Sequence, residues 1–333
     1  MNILKDTIVN IFSVVVRAVS AAALVLGFAG PAQAQGFPAK QVTIVAAYPP
    51  GGTVDLLART LAQKLTEAWK QPVIVENRPG ASGISGSQVV MRAAPDGYTL
   101  MVIPITHVTN ASLFSKLPFD PITDFTAITL LASQPVMLVT NPKFPANNVA
   151  ELVALAKANP GKFNCGSGGN GTSQHLACEL FKSMTKVDIK HIPYKGNAAA
   201  MTDVIGGQIE MLFDQMATAV PHVKGGKVNA LGVTTAARSP AMPGVPTIAE
   251  AGVPGYEMSA WFGLVGPPGM PHELVARIQA DFARALMLPD VKERLSSQGL
   301  DLTPDTPEQF AAFLKSELVK WAKVIKESGA RLD

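Results

Sequence analysis

The chain has 333 residues, of which 28 are Lys or Arg and 25 are Asp or Glu, so its formal net charge is +3. Only 16% of its residues are charged, and no basic run is present. Proteins that grip a phosphate backbone need a basic patch, so this composition argues against a nucleic acid partner.

The first 34 residues have the pattern of a secretory signal peptide. Lys5 and Arg17 precede an apolar run over residues 18–28, and Ala32-Gln33-Ala34 forms an A-x-A cleavage site. The run is too short to span a bilayer, and no cysteine follows the cleavage site to carry a lipid. The sequence therefore predicts a soluble exported protein that begins near Gln35, with an uncleaved anchor as the alternative.

The next segment predicts alternating strands and helices. A buried strand at 42–46 leads through a glycine turn into a helix at 53–69, with Thr53 as its N-cap. A strand at 73–75, a helix at 85–93 and a strand at 98–103 follow. This alternation is typical of parallel βαβ units with helices on both faces of the sheet.

A second set of the same units follows a pair of strands at 127–131 and 136–139. Its helices are predicted at 149–158, 172–184 and 197–205, and its strands at 162–165, 187–192, 209–213 and 228–233. The proline-spaced segment 239–246 breaks the alternation. A strand at 258–265 and two helices close the chain, and Thr306-Pro-Glu-Gln309 predicts a capping box.

The sequence predicts two lobes, one for each α/β set. Because the C-terminal tail is expected to return to the first set, the chain passes between the lobes twice. We expect the signal peptide at 1–34, lobe 1 at 36–135 plus 257–333, and lobe 2 at 136–256. Ligands of open α/β sheets bind beyond the carboxyl ends of the strands, so a cleft between the lobes is the expected site.

One glycine-rich turn precedes a helix in each predicted lobe, at residues 48–55 and 166–175. Such a turn presents unpaired N–H groups at the positive end of a helix dipole, which favours an anion. Neither turn contains Lys or Arg. A small carboxylate held by N–H and hydroxyl donors therefore fits better than a triphosphate.

Several other chemistries are conceivable at these turns. Gly166–Gly171 satisfies the dinucleotide pattern G-x-G-x-x-G with Asp188 downstream, but Asp188 falls near the start of its strand and the export signal disfavours nicotinamide cofactors. The first turn lacks the lysine of a phosphate loop. Ser167 with His175 suggests a nucleophile and base, although the flanking residues do not match G-x-S-x-G. An exported α/β enzyme that uses this turn remains the alternative function.

The spacing of the histidines and cysteines bears on metal binding and on disulfide formation. The five histidines and two cysteines show no i,i+4 or C-x-x-C spacing, so no metal site is predicted. Cys165 would end a strand and Cys178 would lie two turns into the next helix, within reach of each other if that helix folds back on the strand. The sequence leaves open a disulfide between them or two buried thiols.

Four further polar residues are candidates for the cleft. Asp55 either complements its helix dipole or faces the cleft, where it would order a loop or accept from an amino or hydroxyl group. Asp214 follows a strand and has the same two interpretations. Thr106 and His107 follow the strand that ends at Ile103 and either line the cleft or lie in a surface loop.

The motifs, taken in order, resemble the Bug family, the periplasmic substrate-binding proteins of the tripartite tricarboxylate transporter type. The resemblance covers nearly the whole chain after the signal peptide. It is carried by the Pro49-Gly-Gly-style turn with Asp55 and by segments 75–81, 95–100, 166–175, 193–196, 213–214 and 261–269. It implies a monomeric, two-lobed Venus flytrap of class α/β, each lobe a mixed and mostly parallel sheet flanked by helices, that works without a cofactor. It also implies a periplasmic location and delivery of the ligand to a membrane permease.

In the family the two glycine-rich loops grip one carboxylate from both lobes, and other cleft residues select the rest of the ligand. The resemblance and the motifs together predict these ligand-binding residues: Tyr48, Pro50, Gly51, Gly52, Thr53, Asp55, Thr106, His107, Ser167, Gly168, Gly169, Asn170, Thr172, His175 and Asp214. The departure from the family is the cysteine pair. Asp55 or Asp214 could serve an amino acid ligand, and Phe262 could form a wall for an aromatic acid.

Overall fold

A computed structural model describes residues 36–194 and 196–332, so the predicted signal peptide lies outside the described residues. From Lys40 onward the chain forms one compact unit, separate from the segment that ends at Ala39. Among the described residues, no helix combines the length and the apolar character that crossing a membrane requires.

Most described elements alternate as the sequence predicts, but the prediction missed the helices Thr106–Leu113 and Met216–Lys224. The prediction of two C-terminal helices was also wrong, because three are present. The strands are β1 Val42–Ala46, β2 Val73–Asn77, β3 Thr99–Pro104, β4 Thr126–Thr140, β5 Phe163–Ser167, β6 Ile189–Pro193, β7 Met211–Gln215, β8 Asn229–Val233, β9 Ser259–Gly266 and β10 Asp301–Leu302. The α-helices are α1 Thr53–Trp69, α2 Ile84–Met91, α3 Thr106–Leu113, α4 Val149–Ala158, α5 Ser173–Thr185, α6 Asn197–Gly206, α7 Met216–Lys224, α8 His272–Leu286, α9 Pro289–Ser296 and α10 Pro307–Ser328. A short 3-10 turn, Ala81–Gly83, precedes α2.

The strands form a mixed sheet in the order β2-β1-β3-β9-β4-β7-β5-β6. Strands β2, β1 and β3 are parallel to one another, as are β7, β5 and β6, whereas β9 and β4 run antiparallel to their neighbours. The α/β class with two parallel groups is therefore confirmed. Each parallel group carries one glycine turn, after β1 in the first and after β5 in the second.

Strand β4 connects the two groups, and the prediction of two separate strands there was wrong. Its first ten residues pair with β9, and its last five pair with β7 and β8. Pro135 lies between these two parts and lacks an N–H, which explains why the pattern suggested a break. The backbone nevertheless stays extended through Pro135, because neighbouring strands pair with it on both sides.

The long C-terminal helix packs against the central strands β4 and β9. The capping box predicted at Thr306 is present, with Pro307 at the first helical position. Behind β9, the indole N–H groups of Trp261 and Trp321 both donate to the buried Glu317 carboxylate at 2.8 Å. A Cβ on Gly263 would lie 2.0 Å from the Phe310 ring, so only glycine allows this helix to pack against β9.

Candidate functional site

The first glycine turn ends as the N-terminus of α1. Gly52 is the N-cap, and Thr53 is the first helical residue, so the prediction of Thr53 as N-cap was wrong by one position. Gly52 has no side chain to cap the helix, which leaves the N–H groups of the first turn without a side-chain partner. Gly51 has a φ of +90°, a conformation that glycine adopts at little cost.

Asp55 holds this turn in place. Its carboxylate accepts hydrogen bonds from the Gly51 N–H at 3.0 Å, from Arg59 Nε at 3.0 Å and from Asn77 Nδ2 at 2.9 Å. Burial raises the pKa of Asp55, but these hydrogen bonds outweigh burial, so its pKa lies below the usual range. These contacts show that Asp55 orders the loop of the first turn, although its side chain does not line the cavity described below.

Tyr48 links the first turn to α3. Its hydroxyl donates to the Ser82 carbonyl at 3.0 Å and forms a short hydrogen bond with Thr106 Oγ1. Burial raises the pKa of Tyr48 to about 12, which keeps the phenol neutral. Tyr48 and Thr106 therefore present neutral hydroxyl groups.

The second glycine turn ends as the N-terminus of α5. Thr172 is its N-cap, and the side-chain oxygen of Thr172 accepts from His175 N at 3.3 Å while its hydroxyl donates to the Gly169 carbonyl at 2.8 Å. Gly169 has a φ of +131°, which again requires glycine. This turn is built like the first one, with a capped helix in place of an uncapped one.

Two stacked histidines hydrogen-bond to the second turn and hold it in place. The rings of His175 and His191 lie 3.9 Å apart, His175 Nδ1 accepts from the Gly171 N–H at 3.0 Å, and His191 Nε2 lies 2.6 Å from Ser167 Oγ. Burial lowers the pKa of His175 to about 3 and that of His191 to about 4, so both rings are neutral at pH 7. Ser167 is fully buried, which leaves a substrate no route to its hydroxyl, and its histidine partner is His191, not His175.

His175, His191 and Glu179 also place potential metal-ligating atoms within 4.8 Å of one another. The sequence pattern missed this grouping because His191 comes from a neighbouring strand, β6. The Glu179 carboxylate, however, accepts hydrogen bonds from Lys182 Nζ, at 2.8 Å to Oε1 and 2.9 Å to Oε2. A cation could bind here only by displacing that ammonium group, so the contacts describe a hydrogen-bonded support for the turn.

The two turns meet at one cavity of about 210 Å³. It is lined by residues from both parallel groups of the sheet and from β9, namely Tyr48, Gly52, Thr53, Val54, Pro104, Ile105, Thr106, Thr172, Ser173, Gln174, Gln215, Ala260, Trp261 and Phe262. A different, larger cavity lies elsewhere, between Lys182, Lys186 and Glu327. Only the smaller one combines both glycine-turn helices, and we take it as the candidate site.

The structure brings five of the predicted ligand-binding residues to this cavity: Tyr48, Gly52, Thr53, Thr106 and Thr172. Eight more predicted residues belong to the same two turns but do not line the cavity: Pro50, Gly51, Asp55, Ser167, Gly168, Gly169, Asn170 and His175. The cavity lining thus contains five of the fifteen predicted residues, and their role in ligand binding stays a prediction.

His107 and Asp214 lie outside the lining. His107 Nε2 donates to the Pro121 carbonyl at 3.0 Å, and its buried ring stacks on Phe119 and packs edge-on against Phe125. The Asp214 carboxylate accepts from Asn197 Nδ2 and from the Gln215 N–H, and burial raises its pKa. Both side chains are committed to the surrounding structure.

Sequence reasoning missed most of the apolar lining. Trp261 and Ala260 reach the cavity because β9 pairs with β3, which places Phe262 opposite Pro104. Ser173 and Gln174 belong to the second glycine segment, 166–175, and Gln215 directly follows the candidate residue Asp214. The position of Gln215 after Asp214, at the end of a strand, was a usable signal.

The cysteine pair lies below the second turn. Cys165 and Cys178 are both buried and both free thiols in the structure. Burial raises the pKa of Cys178 well above its usual range, and a hydrogen bond to Cys165 adds to this. The two side chains are therefore neighbours, as the helix geometry predicted.

Comparisons with known proteins agree with this architecture. A family model described as "Tripartite tricarboxylate transporter family receptor" matches residues 57–330. Protein BugT of Bordetella pertussis is 34% identical over 308 residues, which cover 92% of this chain and 94% of BugT.

Two solved structures are similar over nearly the same length. Rpa4515 of R. palustris with adipate is 35% identical, with a TM-score of 0.77 and coverage of 89% of this chain and 100% of that one. MatC from Rhodopseudomonas palustris with bound malate is 34% identical, with a TM-score of 0.74 and coverage of 87% and 100%. The chain therefore belongs to the tripartite tricarboxylate transporter receptor family and is a periplasmic-type solute-binding protein of the Bug group.

Proposed function

We propose that this protein clamps a small organic carboxylate in the cavity between its two glycine turns. The observation that carries this proposal is the convergence of two helix N-termini, Gly52-Thr53 of α1 and Thr172-Ser173 of α5, on one cavity without a cationic side chain. Two sets of N–H donors and two helix dipoles suit a single negative charge. The carboxylates in the structures of Rpa4515 and MatC support the same ligand class.

The energetics are adequate for a transport receptor. Each hydrogen bond to a charged group contributes roughly 1.5–3 kcal/mol. Four or five of them, shared between the turns, offset the ordering costs and leave about 8 kcal/mol, which corresponds to a micromolar Kd. The turns act together, so neither binds the carboxylate well alone.

The lobes of the proposed clamp are residues 36–135 plus 257–333 and residues 136–256. The chain is exported through a signal peptide that is cleaved near residue 34 and acts in the periplasm as a monomer. It delivers its ligand to the membrane subunits of a tripartite tricarboxylate transporter. It performs no chemistry on the ligand, and the family, a receptor family, supports this.

Thermal unfolding with and without ligand tests the proposal. Protein that has been unfolded, stripped of carried-over ligand and refolded is heated in the presence of aliphatic, aromatic and amino-acid carboxylates. A ligand at 100 times its Kd stabilises the folded state by about 2.7 kcal/mol, which raises the Tm by several degrees. No shift with any acid of the panel would contradict carboxylate binding.

A pair of threonine variants provides the control. Thr172→Val removes the N-cap hydroxyl at the cavity and is expected to weaken the ligand-induced shift. Thr202→Val removes an exposed hydroxyl on α6 that does not line the cavity and donates to the Ala198 carbonyl of the same helix. This variant is expected to keep the full shift.

A further inference from the structure

The loop between β2 and α2 has an unusual backbone. Four successive residues have a positive φ, namely Gly80 at +145°, Ala81 at +45°, Ser82 at +53° and Gly83 at +93°. Ala81 and Ser82 lie in the left-handed region, where a side chain crowds the backbone and the conformation costs energy. Such residues persist only where the surrounding contacts fix them, and they cluster at functional sites. The contacts of this loop therefore indicate its role.

The Ser82 carbonyl joins two other elements of the same parallel group. It accepts hydrogen bonds from the Tyr48 hydroxyl and from Asn110 Nδ2, both at 3.0 Å. Tyr48 follows β1, and Asn110 lies in α3. Since a carbonyl oxygen has two lone pairs, these two donors use its full capacity. The left-handed turn thus places one backbone acceptor between the first glycine turn and α3.

These hydrogen bonds continue to the cavity lining. The hydroxyl groups of Tyr48 and Thr106 form a short hydrogen bond, and both residues line the cavity. Thr106 and Asn110 are four residues apart in α3, so they lie on one face of that helix. A Cβ on Gly83 would lie 3.1 Å from the Tyr48 hydroxyl, which shows that the loop packs directly against Tyr48. The Ser82 carbonyl therefore fixes the Tyr48 hydroxyl directly and Thr106 through it.

Asn110 is not itself one of the residues that line the cavity. It is only 2% exposed, and its Nδ2 bonds to a carbonyl 28 residues earlier in the chain. An effect of Asn110 on the ligand therefore has to pass through the Ser82 carbonyl and the hydroxyl groups that this carbonyl holds.

We infer that Asn110 is a positioning residue for the carboxylate site. Its amide anchors the Ser82 carbonyl, the carbonyl orients the Tyr48 hydroxyl, and Tyr48 in turn holds Thr106. Without this anchor the two hydroxyl groups would lose their fixed orientation, and the ligand would have to order them when it binds. This inference rests on the proposed function.

Asn110→Asp tests the anchor through a pH profile. When ionised, the new carboxylate cannot donate and is repelled by the Ser82 carbonyl, whereas the protonated carboxyl donates again. Burial raises the pKa of such a carboxyl, so it is expected to take up its proton between pH 8 and pH 5. We expect the variant to bind at least about tenfold more weakly than the original chain at pH 8 and to come within about threefold of it at pH 5.

Calorimetry on the refolded, ligand-free full chain measures both affinities. The probe is the acid that gives the largest Tm shift with the original chain among adipate, malate and the wider panel. The ratio of the two Kd values at each pH cancels the ionisation of the ligand. Tyr48 and His107, whose pKa values are about 12 and about 4, keep the same charge over this range.

Asn141→Asp is the matched control. Asn141 is also buried, and its Nδ2 donates to the Val204 carbonyl at 2.6 Å, but it does not line the cavity. This variant is expected to lose stability, as Asn110→Asp does, while its affinity stays within about twofold of the original at every pH. A merely structural role of Asn110 would make the two variants alike, with a lower Tm and unchanged affinity.

A double-mutant cycle shows whether Asn110 acts through Tyr48. Tyr48→Phe removes the hydroxyl, and Asn110→Leu removes the amide without burying a charge, so the cycle remains informative if Asn110→Asp does not fold. We expect each single variant to lower affinity at least about fivefold. In the Tyr48→Phe background, Asn110→Leu should cost less than about twofold more, because both groups act on one carbonyl.

The outcomes separate the positioning role from the function. Unchanged affinity of Asn110→Asp at pH 8, or a loss that does not recover at pH 5, would overturn the role of Asn110 and leave carboxylate binding intact. Full additivity in the double-mutant cycle would do the same. Binding of no acid in the panel by the original chain would overturn both the positioning role and the proposed function.

Discussion

At the scale of single residues, the site is defined by polar groups that are kept neutral. The buried His107 and His175 and the half-buried His191 illustrate this, because burial lowers the pKa of His107 and His191 to about 4 and that of His175 to about 3. His175 can accept the Gly171 N–H only while Nδ1 is unprotonated. The geometry of the second turn therefore depends on neutral imidazoles.

These histidines predict a specific dependence of stability on pH. Their pKa values are near 6.5 in the unfolded chain and lower in the folded protein, so between these values the unfolded state binds more protons. Their contribution to stability is complete above pH 6.5 and is lost as the pH falls towards 4. Each buried histidine adds a slope of up to about 1.4 kcal/mol per pH unit, with less from the half-buried His191.

Urea unfolding between pH 4 and 8 measures this slope. His107→Gln should reduce the slope by up to one proton, because the buried imidazole is neutral in the folded protein. A slope unaffected by His107→Gln would mean that folding leaves the pKa of His107 unchanged, which would contradict the lowered pKa.

The cysteine pair yields a prediction about oxidation state. Burial raises the pKa of Cys178, and little thiolate is then present to attack an oxidant. We expect two free thiols per chain when the protein is purified without reductant, denatured and titrated with a thiol reagent. A count of zero would establish the disulfide that the sequence left open.

At the scale of elements, each half of the site is a strand, a glycine turn and a helix N-terminus. The turns differ in what fixes them: Asp55 and Arg59 hold the first, and the histidine pair holds the second. In both turns a glycine has a positive φ, +90° at Gly51 and +131° at Gly169. A side chain at either position would strain the turn by about 1–3 kcal/mol.

Gly51→Ala and Gly169→Ala test whether the two turns share one carboxylate. Each variant is expected to lower affinity at least tenfold, and the double variant should be scarcely weaker than either single one, because the grip needs both turns. Gly244→Ala, with open space around the new Cβ and no positive φ, is the control. If either single variant binds as well as the original chain, the ligand does not need that turn.

At the scale of the whole molecule, the two parallel groups of strands are joined by β4 and by the return of the chain into β9. The C-terminal helix α10 also reaches the second group, where Ser183 of α5 donates to Glu327. If the two groups move relative to each other, the backbone has to bend at β4 and β9, and the contact between α10 and α5 has to shift. Hinge closure around a ligand is the expected motion.

Small-angle scattering measures this closure. A chain of this length has a radius of gyration of about 20 Å when compact. We expect it to decrease when a saturating carboxylate binds, because the proposed function requires the two proposed lobes to close on the ligand. Gly169→Ala protein with the same ligand concentration should show a smaller decrease, and an unchanged radius for the original chain would indicate a site that is already closed.

Most of the elements, the two glycine turns and the capping box at Thr306 were predicted from the sequence because each depends on local periodicity, backbone conformation or capping chemistry, whereas the short helices α3 and α7 were missed. Most of the cavity lining was not predicted. Trp261, Ala260 and Pro104 come together only because β9 pairs antiparallel with β3, and His191 joins His175 only because β6 lies beside β5. The roles of Asp55, His107 and Asp214 were likewise decided by neighbours distant in sequence, such as Asn77, Phe119 and Asn197. Local rules specify where a chain can offer N–H donors to an anion, but the tertiary structure decides which side chains surround that anion and which charges are already paired.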